Sequence, residues 1–380
     1  VARAQHELDL LQTLLLVLSV TKGQSAPERE PVLTRAAALC QQVGEPPQHG
    51  AVLYALWGFH FTRAKHQAAQ AMAEQLLDLA QRQSDPVLLL RAHHALGQTL
   101  FHLGAFAPAR THLEQVITLS DPHQHETPPH TARLASVLGI LGYLDRAMQQ
   151  TQEALTMARA QAEPFSLVFT LLLSTQLHDR YREWQTVQAH AEAMLALATE
   201  HGFARFVAHG IFSRGRVLAV HGQHSKGIAQ MRQGLADLRA TGTALGMPTF
   251  LARLGEAYGQ AGQVDQGLRL LTEALALADT TGERAGEAEL HRLYGELRLR
   301  QAVPDAPAAA ACFQQALAVA RHQQARVWEL RAAMSLCRLW QQHGKRAAAY
   351  ELLAPIYGWF TEGFDTPDRL EAKALLSKLA

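Results

Sequence analysis

The chain has 380 residues, 48% of them hydrophobic, and a formal net charge of +1 from 35 basic and 34 acidic side chains. That balance gives no case for nucleic acid or a membrane surface as a partner. Cys40, Cys312 and Cys337 are isolated and odd in number, which argues against a disulfide framework and fits a reducing, cytoplasmic setting.

The chain starts on Val, as expected of a piece of a longer protein, and its first element is a Leu-rich helix over 5–21. The apolar run Leu14 to Val20 is too short to span a bilayer and lacks the basic start and small-residue cleavage site of a signal peptide. Ser25-Ala26-Pro27-Glu28 predicts the cap and first turn of a second helix, which stops near Val43-Gly44 ahead of Pro46-Pro47. A second pair follows over 50–63 and 66–83, with Trp57, Phe59 and Phe61 on its first helix. The third pair reads LLRAHHALGQTLFHLGAFAPARTHLEQVITLSDP. In it Leu96, Gly97, Leu100, Gly104, Ala109 and Leu113 fall on the positions of a tetratricopeptide-like helix–turn–helix unit.

A polar loop is expected over 122–130, then helices over 131–141 and 144–160. The fifth pair, 165–178 and 183–201, is joined by an irregular DRYREW turn. The sixth, 203–220 and 224–240, turns at HGQ. The seventh, PTFLARLGEAYGQAGQVDQGLRLLTEALALADTT over 248–281, is the most regular. The eighth, 287–301 and 307–322, has a longer AVPDAP turn, and the ninth, 327–343 and 346–359, turns at HGK. A last helix over 367–378 follows GFDTPD.

HLGAF, ILGYL, VHGQH, QAGQV and QHGKR share one grammar: an apolar helix end, Gly, then a new helix. Gly suits the left-handed residue that commonly ends a helix. Gly97, Gly215, Gly255 and Gly295 mark places where paired helices cross closely, and a larger side chain there is expected to cost about 1–3 kcal/mol. No segment alternates with period two, so no sheet is expected. One such unit cannot bury its apolar face alone, so the units must stack. The expected fold is therefore all-α: a right-handed α-solenoid of about nine helix hairpins with a C-terminal capping helix. It forms a single domain over 1–380, with N-terminal repeats over 1–121, the polar loop over 122–130, C-terminal repeats over 131–366 and the cap over 367–380.

Four strings carry a family resemblance: HSKGIAQMRQGLADLRATGTALG, LGEAYGQAGQVDQGLRLLTEALA, TGERAGEAELHRLYGELRLRQ and the stretch from Glu329 to Leu376 centred on CRLWQQ. They resemble the C-terminal tetratricopeptide-like repeat region of bacterial multidomain signal-transduction ATPases of the STAND type, especially fusions of a class III adenylate or guanylate cyclase with an ATPase module. The resemblance covers essentially the whole chain and is strongest from Gly202 to Leu376; between Asp121 and Thr131 the chain is shorter than the family pattern. It implies a non-catalytic regulatory arm that binds a protein or peptide segment, such as the upstream ATPase module of the same chain. The alternative is a small-molecule sensor, with the ligand inside the superhelix as in maltose-regulon-type activators.

The motifs of chemistry are missing. There is no GxxxxGK[ST] loop, and Gly344-Lys345 sits in a helix turn; there is no GxSxG elbow and no HExxH pair. His93-His94, His123/His125/His130 and His221/His224 lack a neighbouring Cys or a recurrent spacing and read as surface or loop residues. Cys312, Cys337, Trp57, Phe61 and Trp340 read as packing residues, and Glu287, Glu289 and Glu351 as residues of a solvated helix face. No catalytic, cofactor or metal site is expected, and neither nucleic acid nor a membrane is an expected partner. The binding surface is expected on the concave wall, lined by the first helix of each pair. Its inward positions are Arg91, His94, Gln98 and His102; His209, Phe212 and Arg216; Glu289, Arg292 and Glu296; and Arg331, Met334 and Arg338. Arginines there suit bidentate contacts to carboxylates. In the seventh unit Thr249, Ala252, Glu256 and Gly259 are small or singly charged, which predicts a spine rather than a recognition surface.

Overall fold

The computed structural model describes residues 2–44, 46–121 and 127–380. Its described residues form nineteen helices and no strand. They pair as α1 (Ala2–Lys22) with α2 (Arg29–Val43), α3 (His49–Thr62) with α4 (His66–Gln83), and α5 (Pro86–His102) with α6 (Phe106–Leu119). Next come α7 (Thr127–Leu141) with α8 (Leu144–Gln161), α9 (Pro164–Arg180) with α10 (Trp184–Glu200), and α11 (Ala204–Val220) with α12 (His224–Ala240). The last pairs are α13 (Met247–Gln260) with α14 (Val264–Thr281), α15 (Glu287–Leu299) with α16 (Ala306–His322), and α17 (Arg326–Gln342) with α18 (Arg346–Gly358); α19 (Pro367–Leu379) closes the stack. This is an α-solenoid of nine hairpins with a terminal helix. Successive units repeat at about 40 residues, longer than the 34 of a standard tetratricopeptide.

The turns follow the sequence grammar. Gly104, Gly142, Gly222, Gly262 and Gly344 all have positive φ. Where a turn lacks Gly, the same left-handed position is filled by Ala64, Arg182 or Gln324. Asp85, Glu163 and Asp305 cap α5, α9 and α16 by accepting hydrogen bonds from first-turn N–H groups, and a proline opens or follows the opening of each helix.

Two local expectations differ. Ser25 does not cap α2: the residue before that helix is Glu28, with no side-chain cap, and Ser25 Oγ instead donates to the Thr241 carbonyl at 2.9 Å. Helix α7 begins at Thr127 rather than Thr131, because Pro128 and Pro129 fall in a first turn, where a missing N–H costs nothing. Residues 122–126 of the expected polar loop, with His123 and His125, lie outside the described residues.

The Ser25 contact belongs to a seam. The C-terminal ends of early first helices meet the chain leading into the first helix five units later. Ala244 N donates to Thr62 O at 3.1 Å, and Arg284 N and Ala285 N donate to His102 O at 2.7 and 3.1 Å. Gly363 N donates to Asp145 Oδ1 at 3.2 Å. Thr62 and His102 are the last residues of their helices, so their carbonyls have no acceptor role inside the helix, and the next superhelical turn supplies donors. The apolar core crosses the same seam: Phe101, Val137 and Leu141 share one cluster with Val327, Trp328 and Leu330. The solenoid is thus wound tightly enough for successive turns to touch, which presses the first helices into a narrow interior.

Candidate functional site

The interior opens as a groove of about 340 Å³ between the first helices α9, α11, α13, α15 and α17, with α19 at one end. A depression of about 610 Å³ lies between Gly262–Gln266 and Arg300–Val303. It is larger, but it is formed by two hairpin turns at the rim, and the inner groove is the one walled by buried charge.

Eight arginines and five carboxylates face the groove. Arg216 bonds Asp179 at 2.5 Å and Glu256 at 3.0 Å, and Arg253 reaches the same two carboxylates at 3.1 and 3.6 Å. Arg292 grips Glu289 with two hydrogen bonds of 2.8 Å and reaches Glu296 at 3.3 Å, whose Oε1 also accepts from Ser335 Oγ at 2.7 Å. Arg331 bonds Asp368 at 2.6 Å and donates to the Arg180 carbonyl, and Arg182 and Arg338 both hold Glu371. These last contacts tie the end of α9 to α17 and α19 and close the wall into a ring.

Burial alone would raise the carboxyl of Glu289, but Arg292, with Arg331 and Arg253 beyond it, outweighs burial and holds it down at about 2. Asp179 and Glu256 are likewise lowered against burial by Arg216 and Arg253. The network is ionised and rigid, because each carboxylate is shared between guanidinium groups.

Cation is nevertheless in excess. Arg180 is buried, its guanidinium over the Trp328 ring at 5.6 Å, and its Nη1 has no hydrogen-bond partner. Arg133, 4.6 Å above the Phe101 ring, and Arg205, 5.8 Å from the Phe206 ring, each leave Nε unpartnered. None of the three pairs with a carboxylate among the described residues. Burial lowers all three: Arg133 to about 9, helped by the charges of Arg205 and Arg180, and Arg180 and Arg205 to about 10. Buried guanidinium groups without an anion are costly, and an anionic guest relieves that cost.

Of the thirteen inward positions expected from the sequence, Arg216, Glu289, Arg292, Glu296, Arg331, Met334 and Arg338 line this groove together. Arg91, His94, Gln98, His102, His209 and Phe212 do not. Arg91 lies over the Tyr54 ring at 5.5 Å. His94 accepts or donates at 3.0 Å to Tyr54 Oη and packs on Trp57 and His130, with Gln98 behind it. His209 and Phe212 are buried on Phe250, and His102 is covered by Glu283 across the seam. Neighbouring helices and the next superhelical turn cover Gln98, His102, His209 and Phe212, and Arg91 and His94 are half-buried against aromatic rings.

Glu256 corrects the reading of the seventh unit as a bare spine, since with Arg253 it forms the floor of the groove. Sequence phase also missed Asp179, Arg180, Arg182, Trp184 and Glu371. The one signal for most of them was the irregular DRYREW turn, which carries four charges where most other units carry Gly.

No protein-family model matches the chain. An uncharacterised protein of Rhizobium meliloti (strain 1021) is 23% identical over 298 residues, covering 74% of this chain; the chain spans 28% of that protein's length. Among solved structures, a Rap protein complexed with competence and sporulation factor is similar over 100% of both chains, with TM-score 0.64 and 12% identity. The Rap conjugation gene regulator of the plasmid pLS20, in complex with the Phr* peptide, is similar over 99% of this chain and 96% of its own, with TM-score 0.57 and 12% identity. Cut9 of the Cut9–Hcn1 complex of APC/C covers 87% of this chain and 55% of its own, with TM-score 0.54 and 17% identity. These similarities show a tetratricopeptide-like repeat fold.

Proposed function

We propose that this chain is a non-catalytic, cytoplasmic binding module of a larger bacterial signalling protein, and that its inner groove receives an acidic peptide or protein segment. The observation that carries this reading is the surplus of guanidinium groups with no carboxylate partner, buried Arg133 and Arg180 and half-buried Arg205, of which Arg180 lines a groove whose arginines other than Arg180 and Arg300 are paired with carboxylates. Arginine suits carboxylate partners because its planar fork makes two parallel hydrogen bonds. Support for a peptide guest comes from two structural neighbours, one complexed with competence and sporulation factor and one with the Phr* peptide. Support for a larger parent comes from the resemblance to the repeat arms of STAND-type ATPases, including cyclase fusions, and from a relative of which this chain spans 28%. A segment of the parent's own ATPase module is a natural occupant, and binding there would shift the arm between inhibitory and permissive positions.

The test is anisotropy titration of labelled acidic, neutral and basic peptide pools against the protein, at low and high salt. Acidic peptides are expected to bind most tightly and to weaken with salt. Arg180→Gln combined with Arg338→Ala is expected to reduce that binding at least about tenfold, the scale of one lost charge-assisted contact. Equal binding of acidic and basic pools, or no effect of the double variant, would sink the reading. A second reading rests on groove volume: about 340 Å³ lies within the range of small-ligand pockets. An anionic metabolite that raises the melting temperature strongly, in the absence of any peptide binding, would favour a small-molecule sensor.

A further inference from the structure

A second buried polar cluster lies on the superhelical seam, away from the groove. His66 opens α4, His102 ends α5 and Glu283 stands ahead of α15; their exposures are 0%, 7% and 3%. His66 Nε2 lies 3.6 Å from Glu283 Oε2, and His102 Nδ1 lies 3.4 Å from Glu283 Oε1. One donor atom from each residue lies within 4.8 Å of the others. Both nitrogens of His66 and the Nε2 of His102 have no hydrogen-bond partner.

Two features set this cluster apart from an ordinary buried hydrogen-bond network. First, Glu283 has no Lys or Arg partner among the described residues; its carboxylate's only other hydrogen bond there is from the Gly246 N–H, which donates to Oε2 at 3.1 Å. Arg284, next in sequence, is turned to Asp279 and Glu287. A carboxylate with 3% exposure facing two imidazoles calls for a cation. Second, each imidazole faces a different carboxylate oxygen, so a cation placed between them meets two nitrogens and both oxygens. The observed N···O distances of 3.4 and 3.6 Å match the edge of roughly 3.4 Å that metal–ligand bonds of 2.0–2.1 Å give a tetrahedron.

We propose that His66, His102 and Glu283 form a site for a divalent transition-metal ion of the zinc class, which clamps one turn of the superhelix to the next. Mixed imidazole and carboxylate donors select such ions over calcium or magnesium. The rings now stack within 8° of parallel, with centroids 5.4 Å apart. Loading therefore turns one ring about its Cβ–Cγ bond so that both lone pairs converge. Phe61, which lies edge-on to both rings at 6.1 and 5.2 Å, walls the site from solvent. No local spacing points to it: the histidine runs along the chain, His93-His94 and His221/His224, do not assemble, while these three residues are brought together from units two, three and eight.

The test is titration of the full metal-free chain with Co(II), read by visible ligand-field absorption, and with Zn(II), read by melting temperature. The expected result is a single tight equivalent with tetrahedral-type absorption and a melting temperature raised by Zn(II) and lowered by chelation. His66→Gln, His102→Gln and Glu283→Gln are each expected to abolish the absorption. His93→Gln, which removes the half-exposed His93–His112 contact at 2.9 Å, is expected to leave it intact. Circular dichroism identifies any variant that fails to fold, in which case the remaining variants carry the test. Absence of absorption and of any melting shift in the native chain, or binding that persists in the three seam variants, overturns the proposal.

Discussion

Gln324 shows what a single backbone position demands. It is exposed and sits at φ 55° in the turn that joins α16 to α17, a left-handed slot of the kind that Gly fills in five hairpin turns. The left-handed conformation costs a side-chain-bearing residue about 1–2 kcal/mol, and glycine's greater unfolded-state freedom returns about half of that. Gln324→Gly is therefore expected to stabilise the chain by up to about 1 kcal/mol, read as a raised urea midpoint at unchanged slope. Glu289 carries the pH dependence at this scale. Its folded-state carboxyl is held at about 2, below its ordinary value of 4.5, so its contribution to stability is fully present above pH 4.5. Between those values the unfolded chain binds more protons, and the contribution is lost as the pH falls through about 2. Urea midpoints measured across this range are expected to fall with acid, and Glu289→Gln is expected to flatten that fall. The glycine turns were legible residue by residue, because only their chemistry suits the backbone. Arg182 and Gln324 in left-handed turn positions were not, since there the packing of the two joined helices imposes the conformation on whatever residue is present.

Helix α19 illustrates the element scale. Its amphipathic face places Ala372, Leu375 and Leu379 in the main core, and its first turn supplies Asp368 to Arg331 and Arg182 and Glu371 to Arg338. A chain ended before Pro367 removes the carboxylates that hold Arg182 and Arg338, takes Asp368 from Arg331, and bares the apolar end of the stack. It is expected to lose several degrees of melting temperature and to bind a hydrophobic dye, and an unchanged melting curve would contradict the capping role. Helix identity was legible throughout because apolar periodicity and Gly or Pro punctuation act within one element. Boundaries were less so: α7 starts at Thr127 rather than Thr131, and Ser25 serves a distant carbonyl instead of its own helix. In both cases a local signal had two physical outlets, and the surroundings chose between them. Among the described residues no helix is long and apolar enough to cross a membrane.

At the scale of the whole molecule, the groove depends on how tightly the solenoid is wound. Gly142 reports on this: a Cβ there would lie 2.6 Å from Trp359 and 3.0 Å from Arg326 across the seam, at φ 96°. Gly142→Val is expected to wedge the two turns apart, raising the radius of gyration in X-ray scattering and the amide exchange of the start of α17. A native-like profile in both would show that the seam tolerates separation. The sequence alone determined that this is an all-helical stack, where its hairpins turn, and which helices present Arg216, Glu289, Arg292, Glu296, Arg331, Met334 and Arg338 to a common interior. Those features follow from interactions within about 40 residues, the length of one unit. Only the tertiary structure decided that His102, His209 and Phe212 are covered, that Asp179, Arg180 and Glu371 join the groove, and that His66, His102 and Glu283 meet. These arrangements depend on superhelical pitch, and pitch is the sum of small rotations between units that no single repeat encodes.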